Sequence, residues 1–235
     1  MLKEELITKS PVRLLEKSIE GGLKTGNIGV IASRKGIGKT SVLVQLALDK
    51  LLQGEKVIHV SFTAHTSYVI SWYENIFSEL AKRRNLEKFG DIKDGLVKNR
   101  VIMNFAQEAV TIDQIIHSLR AMVNEGGFKA STLIVDGYDF TKPAAGDRLA
   151  KVKAFAAETG LEVWYSATLA GDEPQLDKNN FPLLLRDCID SISVLILLEP
   201  KSEYIHFTVV KDHGRMNPQD LNLKLDAKTL LIAET

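Results

Sequence analysis

The sequence is poor in cysteine, in net charge and in long apolar runs, and each shortage excludes something. A single cysteine, Cys188, stands in 235 residues, so no intramolecular disulfide can form. That suits a reducing compartment, and we expect a cytoplasmic protein. Lysine and arginine number 30, and so do aspartate and glutamate. A net charge near zero exerts no global pull on nucleic acid or on an anionic membrane. The longest apolar run, residues 194–198, is far too short to span a bilayer. Residues 1–20 are charged, broken by Pro11, and lack the apolar core of a signal peptide. No membrane partner is expected.

What is present is an alternation of two periods. Strand-like clusters fall at residues 28–32, 56–62, 100–105, 131–135 and 161–166. Helix-like stretches fall between them. Residues 40–52 carry Gln45, Asp49 and Gln53 as a polar stripe at i, i+4. Residues 67–84 place Val69, Tyr73, Ile76, Phe77 and Leu80 on one face, and Trp72, Tyr73 and Phe77 read as core or subunit contacts. Thr111 can cap a helix that Gly126-Gly127 stops, and Gly160 can close another over residues 147–159. Repeated βα units demand a parallel sheet. Residues 191–198, 205–211, 221–225 and 229–232 read as strands, so the C-terminal part is β-rich and antiparallel at the sheet edge. Residues 171–180 read as a mobile polar loop. We expect one α/β domain over residues 21–235, preceded by an extension, residues 1–20. That extension either packs on a neighbour or caps its own domain.

The first strand leads into Ser33-Arg34-Lys35-Gly36-Ile37-Gly38-Lys39-Thr40, and a helix opens at Thr40. Strand, glycine-rich turn and Gly-Lys-Thr at a helix start form a phosphate-binding motif. Backbone N–H groups from Gly36 to Thr40 point inward, and the helix dipole adds positive potential. Lys39 would reach the β- and γ-phosphates, and the Thr40 hydroxyl would ligate Mg²⁺. Asp136 ends the strand 132–135 and would hold the Mg²⁺ through water. Asp139 is either a second acid or a turn residue. ATP and Mg²⁺ are the expected ligands.

Leu15-Glu16-Lys17, Gly21-Gly22-Leu23 and Gly26, followed by strand, loop and Gly38-Lys39-Thr40-Ser41, resemble the RecA-fold ATPases. Within them the chain is similar to the DnaB-like hexameric helicases and KaiC-like proteins, where a small residue and an arginine often open the loop, as Ser33-Arg34 do here. The resemblance implies a RecA-like P-loop fold and nucleotide contacts along residues 33–41. It also implies a homo-oligomer, a hexamer or related assembly, with nucleotide between subunits.

The chain departs from that pattern in three places. A catalytic glutamate is expected after the second strand, where Thr63, Ala64 and His65 stand. Threonine cannot serve as a carboxylate base, and His65 reads as a solvated loop residue. A polar sensor is expected after Ser166, where Ala167 and Thr168 follow. A late strand usually ends in Lys-x-Arg for a trans contact. Here Lys211 matches the lysine, His213 takes the arginine position, and Arg215 comes two residues late. Loss of a water-orienting group costs about 10²- to 10⁴-fold in rate. ATP binding with slow or absent hydrolysis is therefore expected, with nucleotide controlling assembly or partner binding. The alternative is a DNA-acting ATPase, which needs basic loops. Lys82, Arg83, Arg84 and Lys88 are the first candidates. The loop 171–180 is the second, and it sets Asp172, Glu173 and Asp177 against Lys178 alone. A small-substrate phosphotransferase lacks its arginine-rich lid. Cys188 is assigned no chemistry.

Overall fold

The computed structural model describes residues 6–8, 10–63, 65–83, 90–171, 173–216 and 219–234. The strands are β1 (Ile28–Ser33), β2 (Val57–Ser61), β3 (Arg100–Asn104), β4 (Thr132–Asp136), β5 (Glu162–Thr168), β6 (Ile192–Pro200), β7 (Tyr204–Asp212), β8 (Gln219–Asp226) and β9 (Ile232–Glu234). The helices are α1 (Pro11–Ser18), α2 (Lys39–Leu52), α3 (Thr66–Arg83), α4 (Gly90–Lys98), α5 (Ile112–Arg120) and α6 (Ala145–Thr159).

All nine strands join one sheet in the order β3-β2-β4-β5-β1-β6-β7-β8-β9. From β3 to β6 the pairs are parallel; from β6 to β9 they are antiparallel. This is the α/β architecture the alternating periods demand, with the antiparallel C-terminal edge. The parallel strands β1, β2 and β4 are buried along their whole length, as strands covered on both faces must be. In β8 only alternate residues, Leu221, Leu223 and Leu225, are buried. Their cluster includes α2 and α3 residues. The second cluster, on the other face, gathers α5 and α6.

Local chemistry sets the helix ends. Thr111 and Gln114 form a reciprocal capping box at the start of α5. A π-helical turn, Ala121–Glu125, carries that helix to Gly126. Gly160 closes α6 in the left-handed conformation.

Four features refine or depart from the sequence expectation. Gln45 and Asp49 are buried rather than forming a solvated stripe. α1 lies over α2, where Arg13 pairs with Asp49. Pro11, which reads as a breaker, stands at the start of α1, the position where its missing N–H costs nothing. Val12, Leu15, Ile19 and Leu23 then bury against the chain's own core, so this segment caps its own domain; residues 1–5 and 9 lie outside the described residues. The loop 171–180 is organised by hydrogen bonds. Asp177 accepts the N–H groups of Asn179 and Phe181, and the Phe181 ring is buried. Asp172 in that loop lies outside the described residues. Finally, the strand expected over residues 229–232 begins only at Ile232, because residues 227–229 form a turn in which the Asp226 carboxylate captures the N–H groups of Lys228 and Thr229. No helix among the described residues is long and apolar enough to cross a membrane.

Candidate phosphate-binding site

Open parallel sheets place ligands beyond the carboxyl ends of their strands. Here β1, β5 and β4 are neighbours in the sheet, so their carboxyl ends adjoin. The loop after β1 turns into α2 at Gly38, which has φ of +102°. A side chain there would be strained, and its Cβ would stand 2.5 Å from a Leu225 methyl. Glycine is thus required twice over, by backbone conformation and by the close approach of β8.

Lys39 and Thr40 turn in different directions. Lys39 as a residue is 8% exposed, and its ammonium donates to the carbonyls of Ser33 at 3.1 Å and Arg34 at 2.8 Å. It curls back over the start of the loop. Burial lowers its pKa to about 8, with Asp136 opposing the shift. The Thr40 hydroxyl donates to Asp136 Oδ2 at 2.8 Å, across 96 residues of sequence. Ser33 also accepts the Leu169 N–H, which places Thr168, the last residue of β5, beside the mouth of the loop.

Ser166 is a site residue that the sequence reading passes over. Its hydroxyl donates to Asp136 Oδ1 at 2.6 Å and accepts the Gly137 N–H at 2.8 Å. Both oxygens of Asp136 are therefore engaged, one by α2 and one by β5. Serine at a strand end is too common to stand out in sequence; only the β4–β5 pairing reveals its role.

Thr63 lies against the bare α-carbon of Gly137, where a Cβ would be 2.5 Å from its hydroxyl oxygen. The structure thus sets a short neutral side chain next to the Asp136 turn. Ala64 lies outside the described residues. His65 caps α3: its Nδ1 accepts the Ser67 N–H at 3.3 Å, and its carbonyl accepts those of Tyr68 and Val69. Asp139 serves a turn, accepting the N–H and hydroxyl of Thr141.

His59 lies one alternation below Ser61, which pairs in register with Asp136. It is fully buried, contacts the Tyr73 hydroxyl at 3.1 Å, and its pKa falls to about 4 through burial. It stays neutral at physiological pH. Cys188 is buried too, and burial pushes its thiol up to about 11, so it is a poor nucleophile.

Lys211, His213 and Arg215 sit far from this loop. Asp212 pairs with Val194, and Val194 with Gly29 near the start of β1. The phosphate loop follows the other end of β1, about 15 Å away at ~3.3 Å per residue. Lys211 donates to the Ile189 carbonyl, His213 pairs with Asp212, and Arg215 with Glu20. Within one chain none of them meets a phosphate held by the loop. Of the basic candidates, Lys82 pairs with Glu79, and Arg84 and Lys88 lie outside the described residues. Comparison with protein-family models yields no match, and comparison with curated proteins yields none either.

Proposed function

We propose that this chain is a RecA-like P-loop protein that binds ATP with Mg²⁺ and hydrolyses it slowly or not at all. The observation that carries the reading is the 2.8 Å hydrogen bond from Thr40 to Asp136. A hydroxyl at a helix N-terminus and a carboxylate at a neighbouring strand end are the pair that a phosphate-bound Mg²⁺ requires. Helix α2 would supply N–H groups and dipole to the phosphates. Lys39 would swing from the Ser33 and Arg34 carbonyls to the terminal phosphates. The chemistry a bound Mg²⁺ would supply is neutralisation of phosphate charge. Thr40 would ligate it, and Asp136, steadied by Ser166, would hold it through water.

Slow turnover follows from the neighbours. Thr63 holds the place where a water-orienting glutamate is expected, and His65 is engaged in capping α3. Nucleotide would then act as a switch for assembly or partner binding. In a homo-oligomer, Lys211, His213 and Arg215 could reach a bound nucleotide only in another subunit.

Titration calorimetry with ATP–Mg²⁺ tests the reading. We expect one site per chain, loss of at least tenfold in affinity in Lys39→Ala, and loss of the Mg²⁺ dependence in Asp136→Asn. Equal affinity in wild type and Lys39→Ala would refute it.

A further inference from the structure

We propose that the cavity at the carboxyl ends of β1, β5 and β6 binds a small organic acid, a monocarboxylate whose compact apolar body has the size of one aromatic ring. β1 lies between β5 and β6 with parallel pairs on both sides, and open sheets place ligands beyond the carboxyl ends of such strands. The cavity measures about 220 Å³. It exceeds the ~150 Å³ that encloses benzene, so it holds a ring and a short head group. It shares Ser33 and Arg34 with the start of the phosphate loop, but residues 36–40 and Asp136 do not line it. The cavity is therefore separate from the phosphate cradle, and the inference holds whichever ligand that loop takes.

Ala32, Leu169, Leu176 and Leu197 give the lining its apolar part, and all four pack in one cluster of the core. The loop after β5 is a fixed wall. The Leu169 N–H donates to the Ser33 carbonyl at 2.9 Å, Leu176 bridges to Pro182, and the Leu183 N–H donates to the Gln175 carbonyl at 2.9 Å. A wall already ordered spares a ligand the entropy of ordering it. Charge then selects the head group. Among the described residues the charged members of the lining are Arg34, Lys201 and Glu199, a balance of one positive charge. The Glu199 carboxylate is held toward β7, where it accepts the Thr208 hydroxyl at 3.2 Å and stands 3.7 Å from His206. Lys201 is exposed in the turn between β6 and β7. One carboxylate balances the excess and takes charge-assisted hydrogen bonds from cationic N–H donors. A cationic head meets repulsion instead.

The test titrates the full chain with phenylacetate, phenylacetamide and phenethylamine, read by calorimetry and ligand-observed NMR. Phenylacetate should bind, the neutral amide about tenfold more weakly, and the amine more weakly still. Leu176→Trp enlarges a half-buried lining residue and should abolish binding, with a melting curve to verify its fold. Lys201→Glu changes an exposed position, so it keeps the test alive if the first variant does not fold; it should weaken phenylacetate about fivefold. Saturating tripolyphosphate with Mg²⁺ should leave phenylacetate bound. No binding of phenylacetate to the wild type overturns the inference, as does equal binding of acid and amide, or full binding by folded Leu176→Trp or by Lys201→Glu. Mutually exclusive binding of phenylacetate and tripolyphosphate would put the acid on the phosphate loop and overturn it as well.

Discussion

Lys39 is largely buried and held by the Ser33 and Arg34 carbonyls, and that environment sets its titration. An ordinary lysine stays charged to about pH 10.4, whereas burial brings this one to about 8. A polyphosphate beside the ammonium would restore the charged form. Binding then takes up a proton wherever the free ammonium has begun to dissociate. At pH 8 the uptake is about half a proton per nucleotide, and affinity falls by up to tenfold per unit above that pH. Calorimetry in buffers of different ionisation enthalpy measures this directly. We expect uptake at pH 8 to 8.5, little at pH 6.5, and none attributable to this group in Lys39→Ala. The linkage to folding runs in the opposite direction. Between pH 8 and 10.5 the unfolded chain binds a proton that the folded chain has lost, so this group adds stability as pH rises through that window. None of this is legible from the letters Gly-Lys-Thr alone. The identity of the lysine is in the sequence; its burial and its two carbonyl partners come from the fold.

At the scale of elements, α2 is the hinge of the structure, joined to three others by side chains. Thr40 ties it to β4, Asp49 to α1, and Ser41 with Gln45 to the turn before β9. Gln45 is 4% exposed and satisfies both a carbonyl and an N–H of the C-terminal segment. Gln45→Ala leaves the Ile232 N–H buried without that partner, at a cost of about 2–3 kcal/mol. Chemical denaturation should show that loss; a change under about 0.5 kcal/mol would mean the C-terminal segment is anchored elsewhere. The strands and capped helices were largely legible, because alternating periods, Thr111 and Gly160 act locally. The meaning of the Gln45 and Asp49 stripe was not. A polar residue every fourth position reads as a solvated face unless one knows that α1 and β9 lie over it. The same limit applies to the strand expected from residue 229, where one carboxylate, Asp226, holds a turn over residues 227–229 and delays the strand to Ile232.

For the molecule as a whole, the sheet order decides which residues can act together. It brings β1, β5 and β4 side by side, so Ser33, Thr40, Asp136 and Ser166 meet at one end. It carries Lys211, His213 and Arg215 to the other end, about 15 Å off along the strands. The loop and Asp136 were readable as a pair from spacing and residue type. The placement of the late basic residues was not, since it depends on β7 running antiparallel to β6. The central claim is a phosphate site that holds nucleotide but lacks the group that orients attacking water. The fate of γ-labelled ATP mixed with a slight excess of the protein and Mg²⁺ tests it most directly. The account predicts stoichiometric retention of intact ATP for minutes, with retention lost in Lys39→Ala. Release of the labelled phosphate within about a second, abolished by Lys39→Ala, would contradict it.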